Sequence, residues 1–224
     1  MKTLSLVLLW SLEFGAGDSL RAAEVPTGFV EETLATGLNA ATAIAPAPDG
    51  RIFIADQTGP LRVWKDGRVL DRPALDLSGK LDTYWERGLV GVTLARDFPR
   101  TPHLFLLYVA KAPFTHHVVS RFTLSGDVAD PASEKVLLQG DDQKLLGGSQ
   151  PGGHQGGPIR FGPDGQLYVA LGEQTAGKPS QSLSTLQGKI LRLNPDGSIP
   201  EENPFFAQTT GKYRAIWALG LRNP

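Results

Sequence analysis

His154 is the residue whose setting most suggests chemistry. It lies in Gly152-Gly153-His154-Gln155-Gly156-Gly157, where glycines let the backbone come close to a flat ligand. Imidazole accepts and releases a proton near neutral pH, so a loop histidine of this kind could act as a general base; the plainer alternative is a solvated loop residue. Other chemistries lack their residues. The 224-residue chain has no cysteine, which excludes a thiolate nucleophile, a thiolate metal site and a disulfide framework. It has neither a glycine-rich phosphate loop nor a Gly-x-Ser-x-Gly elbow, so nucleotide and serine-hydrolase chemistry are unsupported. His116-His117 point to opposite faces of any strand that holds them and read as edge or loop residues rather than metal ligands. Asp141-Asp142 lack further spaced oxygen ligands and read as a solvated loop rather than a calcium site. With 22 Lys+Arg against 23 Asp+Glu, the net charge of −1 leaves no electrostatic footprint for nucleic acid or an acidic membrane.

The elements that must position these residues are short strands. Gly at 26 and Pro at 17, with no Gly-X-Y period, point to many tight turns. Pro48-Asp49-Gly50-Arg51-Ile52-Phe53-Ile54-Ala55 matches Pro163-Asp164-Gly165-Gln166-Leu167-Tyr168-Val169-Ala170, and Asp97-Phe98 before Leu104 to Tyr108 is a weaker copy between them. An Asp-Gly turn followed by β-branched or aromatic residues predicts a hairpin. A second alternating segment follows each copy: Leu61 to Val69, Val119 to Val128, and Ile190 to Ile199. Each alternates apolar and polar residues up to a Gly turn, the pattern of a half-buried antiparallel hairpin. Two hairpins make a four-stranded unit, and units of roughly 40–50 residues are propeller blades. The longer interval before Asp164 falls on a Gly-rich loop, Asp141 to Gly157. A β-sandwich is the alternative, but it does not predict an internal two-hairpin repeat.

The N-terminus reads as an export signal. Lys2 supplies positive charge, Leu4 to Leu12 is an apolar run too short to span a bilayer, and Leu20-Arg21-Ala22 offers a cleavage site, giving a signal over residues 1–23 and a mature domain over 24–224. A buried N-terminal strand or helix is the alternative. A secreted or periplasmic location follows from the signal, and no later stretch is apolar enough to be a transmembrane helix.

Several motifs then fall in order. They are Pro48-Asp49-Gly50-Arg51, Glu86-Arg87-Gly88-Leu89-Val90-Gly91-Val92, His154-Gln155-Gly156-Gly157-Pro158, Leu171-Gly172-Glu173, Gln187-Gly188-Lys189-Ile190-Leu191-Arg192-Leu193, and Gly220-Leu221-Arg222-Asn223-Pro224. Over roughly residues 25 to 224 this set resembles the glucose/sorbosone dehydrogenase family, which includes soluble aldose sugar dehydrogenases. The resemblance implies an all-β, six-bladed β-propeller that oxidises the C1 hydroxyl of an aldose with pyrroloquinoline quinone (PQQ) as cofactor, and passes electrons to an external acceptor.

The resemblance also implies roles. His154 would be the base that takes the C1 hydroxyl proton. Glu173, where relatives usually carry Asp, would orient that histidine and raise its basicity. Glu86 would reach the sugar or the quinone edge. Arg222 would stabilise charge on the reduced quinone, and Asn223 would hydrogen-bond it. Gly153 stands where the family usually has Asn or Asp, so one substrate contact is altered. Counting units gives three blades plus one strand, Ala215 to Leu219, read as opening a fourth. On that count the chain is a partial propeller. Calcium, which the family uses, would take its ligands from the part beyond residue 224, and the open blade faces would favour self-association and leave the chain inactive alone. Two other readings remain at this stage: a non-catalytic or sugar-binding propeller fragment, and a calcium-dependent lactonase-type propeller.

Overall fold

The computed structural model describes residues 26–224. The export signal read at residues 1–23 lies outside these described residues. Residues 26–33 hold a turn in which Phe29 N–H donates to Pro26 O at 3.0 Å. From Leu34 onward the chain forms one compact unit.

That unit is built of consecutive antiparallel sheets. β1 (Ala41–Pro46), β2 (Ile52–Asp56), β3 (Pro60–Lys65) and β4 (Arg68–Val69) form the first in sequence order, with β5 (Leu75–Asp76) pairing β3 further along. β6 (Leu89–Leu94), β7 (His103–Ala110), β8 (His116–Ser125) and β9 (Val128–Gln139) form the second. A one-turn helix, α1 (Gln143–Leu146), lies in the long loop that follows. β10 (Gly156–Phe161), β11 (Leu167–Leu171), β12 (Lys189–Leu193) and β13 (Ile216–Ala218) form the third. Sheets of neighbouring strands stacked on one another are the blades of a propeller.

The repeated Asp-Gly turns close the first hairpins as expected. Asp49 Oδ1 accepts from Arg51 N–H at 3.2 Å, and Asp164 Oδ1 accepts from Gln166 N–H at 3.1 Å. Gly50 and Gly165 hold φ of 89° and 82°, which glycine adopts without steric cost. The middle blade uses a longer turn, from Ala95 to His103, closed by Ala95 N–H to His103 O at 3.0 Å.

The core lies between sheets, and the alternation of β7 shows why. Leu104, Leu106 and Tyr108 pack with Phe53, Val63 and Leu61 of the first blade. Phe105 and Leu107 point the other way and pack with Ile159, Leu167 and Val169 of the third. A strand covered on both faces must be apolar along its covered length, and from Leu104 to Ala110 β7 is apolar apart from the Tyr108 hydroxyl. The first strands of the blades, β1, β6 and β10, lie side by side. At Gly91 and Gly157 they meet backbone to backbone. A Cβ at Gly91 would fall on Gly157 O, and one at Gly157 would come within 2.9 Å of Val90 O. Each of these strands is irregular in register near its start, between Ala41 and Ala43, Leu89 and Gly91, and Gly156 and Ile159, which re-aims the chain at that end.

Some expectations need correction. Ala215 to Leu219 does not open a fourth blade: β13 pairs β12 and is the outer strand of the third. The strand expected after Asp196-Gly197 is absent, because Pro200 and Pro204 remove donors and Asn203 takes over the pairing. Asn203 Nδ2 donates to Arg192 O at 3.1 Å and to Arg214 O at 2.9 Å, holding the excursion until β13 arrives. His116-His117 are not edge or loop residues. They lie buried in β8, between β7 and β9. Asp141 is not a solvated loop residue either. It accepts from Leu186 N–H at 2.7 Å and Tyr213 OH at 3.0 Å, and pairs with Lys212 at 2.6 Å. Asp142 caps α1 by accepting from Lys144 N–H at 2.9 Å.

Candidate active site

Five expected residues can be placed. His154 ends the loop that leads into β10 and holds φ of +48°, an uncommon conformation for a residue with a side chain. Its Nδ1 donates to Glu173 Oε1. Glu173 follows Gly172 at the end of β11, and Gly172 is there because a Cβ would collide with the His154 carbonyl. The extra methylene of Glu over Asp does not spoil the pairing. It lets the same carboxylate accept from Thr175 N–H at 3.1 Å and from Gly177 N–H as well. Burial pushes the Glu173 carboxyl up, but the Gly177 N–H, His154 and the Thr175 N–H together hold it below the ordinary value. Glu173 is therefore an ionised acceptor, and the proton on His154 sits on Nδ1. In the neutral imidazole this tautomer puts the lone pair on Nε2.

The C-terminal segment closes the site from a third side. Glu173 N–H donates to Arg222 O at 2.9 Å, and Gly156 N–H donates to Asn223 Oδ1 at 2.9 Å. His154, Glu173 and Arg222 line one cavity of about 550 Å3, together with Gln150, Thr175 and Ser180. Asn223 is exposed and uses its Oδ1 on the backbone of Gly156. Glu86 is exposed and stands beside the loop rather than lining the cavity: its N–H donates to Gly152 O at 3.2 Å. At Gly153 the nearest atoms to a Cβ would be Thr175 Cγ2 at 3.4 Å, Gln150 O at 3.6 Å and Glu86 Oε1 at 3.9 Å, all ordinary contacts. Among the described residues no group of three or more His, Cys, Asp or Glu side chains is gathered to hold a metal ion.

Several residues of the site were given no role in it by the sequence. Lys189 is fully buried and donates to the carbonyls of Pro179 at 3.1 Å, Ser180 at 2.8 Å and Gln187 at 2.6 Å. It pins the turn that brings Gly177 to Glu173, and burial pushes its ammonium down to about 8. His117 lies beneath the His154 loop. Its Nε2 donates to Gln155 O at 2.9 Å, while its Nδ1 faces the side-chain amides of Gln143 at 3.4 Å and Gln174 at 3.5 Å. Burial pushes it from 6.5 down to about 4, only partly opposed by the Gln155 carbonyl.

That depression makes an acid-stability prediction. The folded state resists protonating His117 while the unfolded chain titrates near 6.5, so the stabilisation is complete above 6.5 and is lost as pH falls towards about 4. The loss amounts to about 3 kcal/mol at most. Urea unfolding at pH 7 and pH 4.5 checks it: the wild-type midpoint should fall by more than that of His117→Gln, which does not titrate. Equal falls would show that His117 is not the group responsible.

These sheets are blades of a β-propeller, with a His–carboxylate pair lining a cavity at the end of its inner strands. The chain belongs to the glucose/sorbosone dehydrogenase family, whose model matches residues 38–224. It is 34% identical over 198 residues to aldose sugar dehydrogenase YliI of Escherichia coli, covering 86% of this chain and 51% of the relative. Its structure matches a glucose dehydrogenase-type oxidoreductase of Thermus thermophilus with a TM-score of 0.75 and 34% identity, over 86% of this chain and 55% of that one. The PQQ-bound aldose sugar dehydrogenase of Streptomyces coelicolor matches with a TM-score of 0.69 and 27% identity, over 87% and 55%. The chain thus spans about half the length of these relatives. No helix among the described residues is long and apolar enough to cross a membrane.

Proposed function

We propose that this chain supplies the proton-transfer half of a PQQ-dependent sugar dehydrogenase acting on the C1 hydroxyl of aldoses. The observation that carries the proposal is the His154–Glu173 pair opening onto a cavity that Arg222 also lines. The donor set suits PQQ, a flat tricarboxylate: a guanidinium answers its charge, and the glycines of the His154 loop let a planar ligand approach. Arg222 and the cavity wall would hold it, and when bound it would supply the acceptor for the two electrons leaving C1. The chain's own residues do the rest. His154 Nε2 takes the hydroxyl proton, and Glu173 stabilises the imidazolium that forms while keeping the ring aimed. Arg222 offsets negative charge gathering in the cavity as the sugar is oxidised. The electrons leave to an external acceptor, and calcium is a second proposed cofactor.

The test is titration of the chain with PQQ, with and without calcium, followed by dye-linked oxidation of aldoses in a chimera joining these blades to the remaining half of a relative. PQQ binding and aldose-dependent dye reduction are expected. Sugar binding with no quinone binding would establish the sugar-binding alternative instead.

A further inference from the structure

The loop that carries His154 has almost no secondary structure of its own, yet its carbonyls are fully engaged. Gln150 O accepts from Gly153 N–H at 3.0 Å, Gly152 O from Glu86 N–H at 3.2 Å, and His154 O from Gln174 N–H at 3.3 Å. The remaining carbonyls accept from buried side chains. Pro151 O accepts from Arg87 Nη2 at 3.2 Å and Gln155 Nε2 at 2.9 Å. Gly153 O accepts from Gln155 Nε2 at 3.3 Å, and Gln155 O from His117 Nε2 at 2.9 Å. Every carbonyl from Gln150 to Gln155 therefore has a donor, in a segment that no strand ladder supports.

The side chains doing this are themselves locked. Arg87 Nε donates to Gln143 Oε1 at 2.9 Å, and Arg87 Nη1 pairs with Asp82 at 3.0 Å. Gln143 Nε2 donates to Gln155 Oε1 at 2.9 Å, and Gln187 Nε2 donates to Gln174 Oε1 at 2.6 Å. Arg87, His117, Gln143, Gln155, Gln174 and Gln187 are all buried. The tautomer of His117 follows from its neighbours. Nε2 faces a carbonyl and must carry the hydrogen, while Nδ1 faces amide donors and must be bare. Among these side chains only Gln187 Oε1 is buried without a partner, and a network so nearly complete favours one geometry.

We propose that His117 and Arg87 are positioning residues for His154: by holding the carbonyls of Gln155 and Pro151 from below, they keep the left-handed backbone that aims the imidazole at Glu173 and the cavity. Neither residue lines the cavity. The role rests on the reading of His154 as the base, but it is measured without turnover, so the two stand or fall separately.

The experiment uses the 224-residue chain. His117→Leu removes the donor to Gln155 O, and His117→Gln restores an N–H there. His117→Leu is expected to speed amide exchange at Gly153, Gly156 and Gln174 about tenfold, near what the loss of one net hydrogen bond gives. It should also shift or broaden the His154 Nδ1 proton resonance that reports the bond to Glu173, with unchanged far-ultraviolet circular dichroism. His117→Gln should bring both readouts back. Arg87→Lys keeps a charge beside Asp82 but loses the fork that reaches Pro151 and Gln143; it should loosen Gly153 in the same way and decides the matter if His117→Leu does not fold. An unchanged His154 resonance with unchanged loop exchange in a folded variant would overturn the proposal.

Discussion

Replacing His154 by Ala should lower aldose oxidation by at least about 10²-fold, the scale of a lost general base. The measurement belongs in the chimera, with PQQ affinity followed in parallel. The histidine makes its polar side-chain contact with Glu173 and otherwise faces the cavity. Its removal should therefore change kcat far more than quinone binding. Glu173→Gln gives the companion result. The amide keeps the shape but loses the charge that steadies an imidazolium, and it offers Gly177 and Thr175 a weaker acceptor. A drop smaller than that of His154→Ala, with a lower melting temperature, is expected. Turnover at the wild-type rate in His154→Ala would remove the histidine from the mechanism.

Gly172→Ala should be nearly as damaging, for a different reason. A methyl group at Gly172 would fall on the carbonyl of His154 and crowd Gly156 N, which lies 2.9 Å from its position. Both neighbours are backbone, so neither can rotate away. One must shift, and the loop bonds described above break with it. Overpacking of this sort costs about 3 kcal/mol. Gly153→Ala is the control, because its methyl would meet ordinary contacts starting at 3.4 Å. Urea unfolding and PQQ titration of both variants check the contrast. Equal stabilities would mean that the loop yields where the packing says it is rigid.

The blades were legible in the sequence because each rule needed there is local. Asp49-Gly50 and Asp164-Gly165 are turn pairs, and the strands after them alternate. The third blade was misread where a side chain did the work of a strand: Asn203, coming between two prolines, has no periodic pattern to reveal it. The site divides in the same way. His154, Glu173 and Arg222 stand in motifs and do meet at one cavity. Glu86 stands in a motif too, yet reaches only the loop beside it. The layer beneath could not be read. His117, Gln143 and Gln174 are scattered polar residues, Gln187 stands in a motif that assigns it no partner, and what joins the four is burial in one place. Polar residues at such spacing look like surface until the fold is known.

The long turn of the middle blade bears on how such a chain can vary. Ala95 to His103 sits at the far end of β6 and β7 from the His154 loop, as do the tight turns at Asp49 and Asp164 in their blades. A strand of six residues such as β10 separates the two ends by about 20 Å. The middle blade has lengthened its distal turn while keeping its strand register and its packing on both neighbours. The Ala95 to His103 turn has its length without touching the chemistry, but the distal turns beside it are tied together: Arg51 Nη1 of the Asp49 turn donates to Gly126 O at 2.6 Å and to Asp127 Oδ1 at 3.0 Å in the next blade. Room for insertion at that pole therefore belongs to a turn that no such clamp holds, and a longer Asp49 turn would have to break the bond to its neighbouring blade.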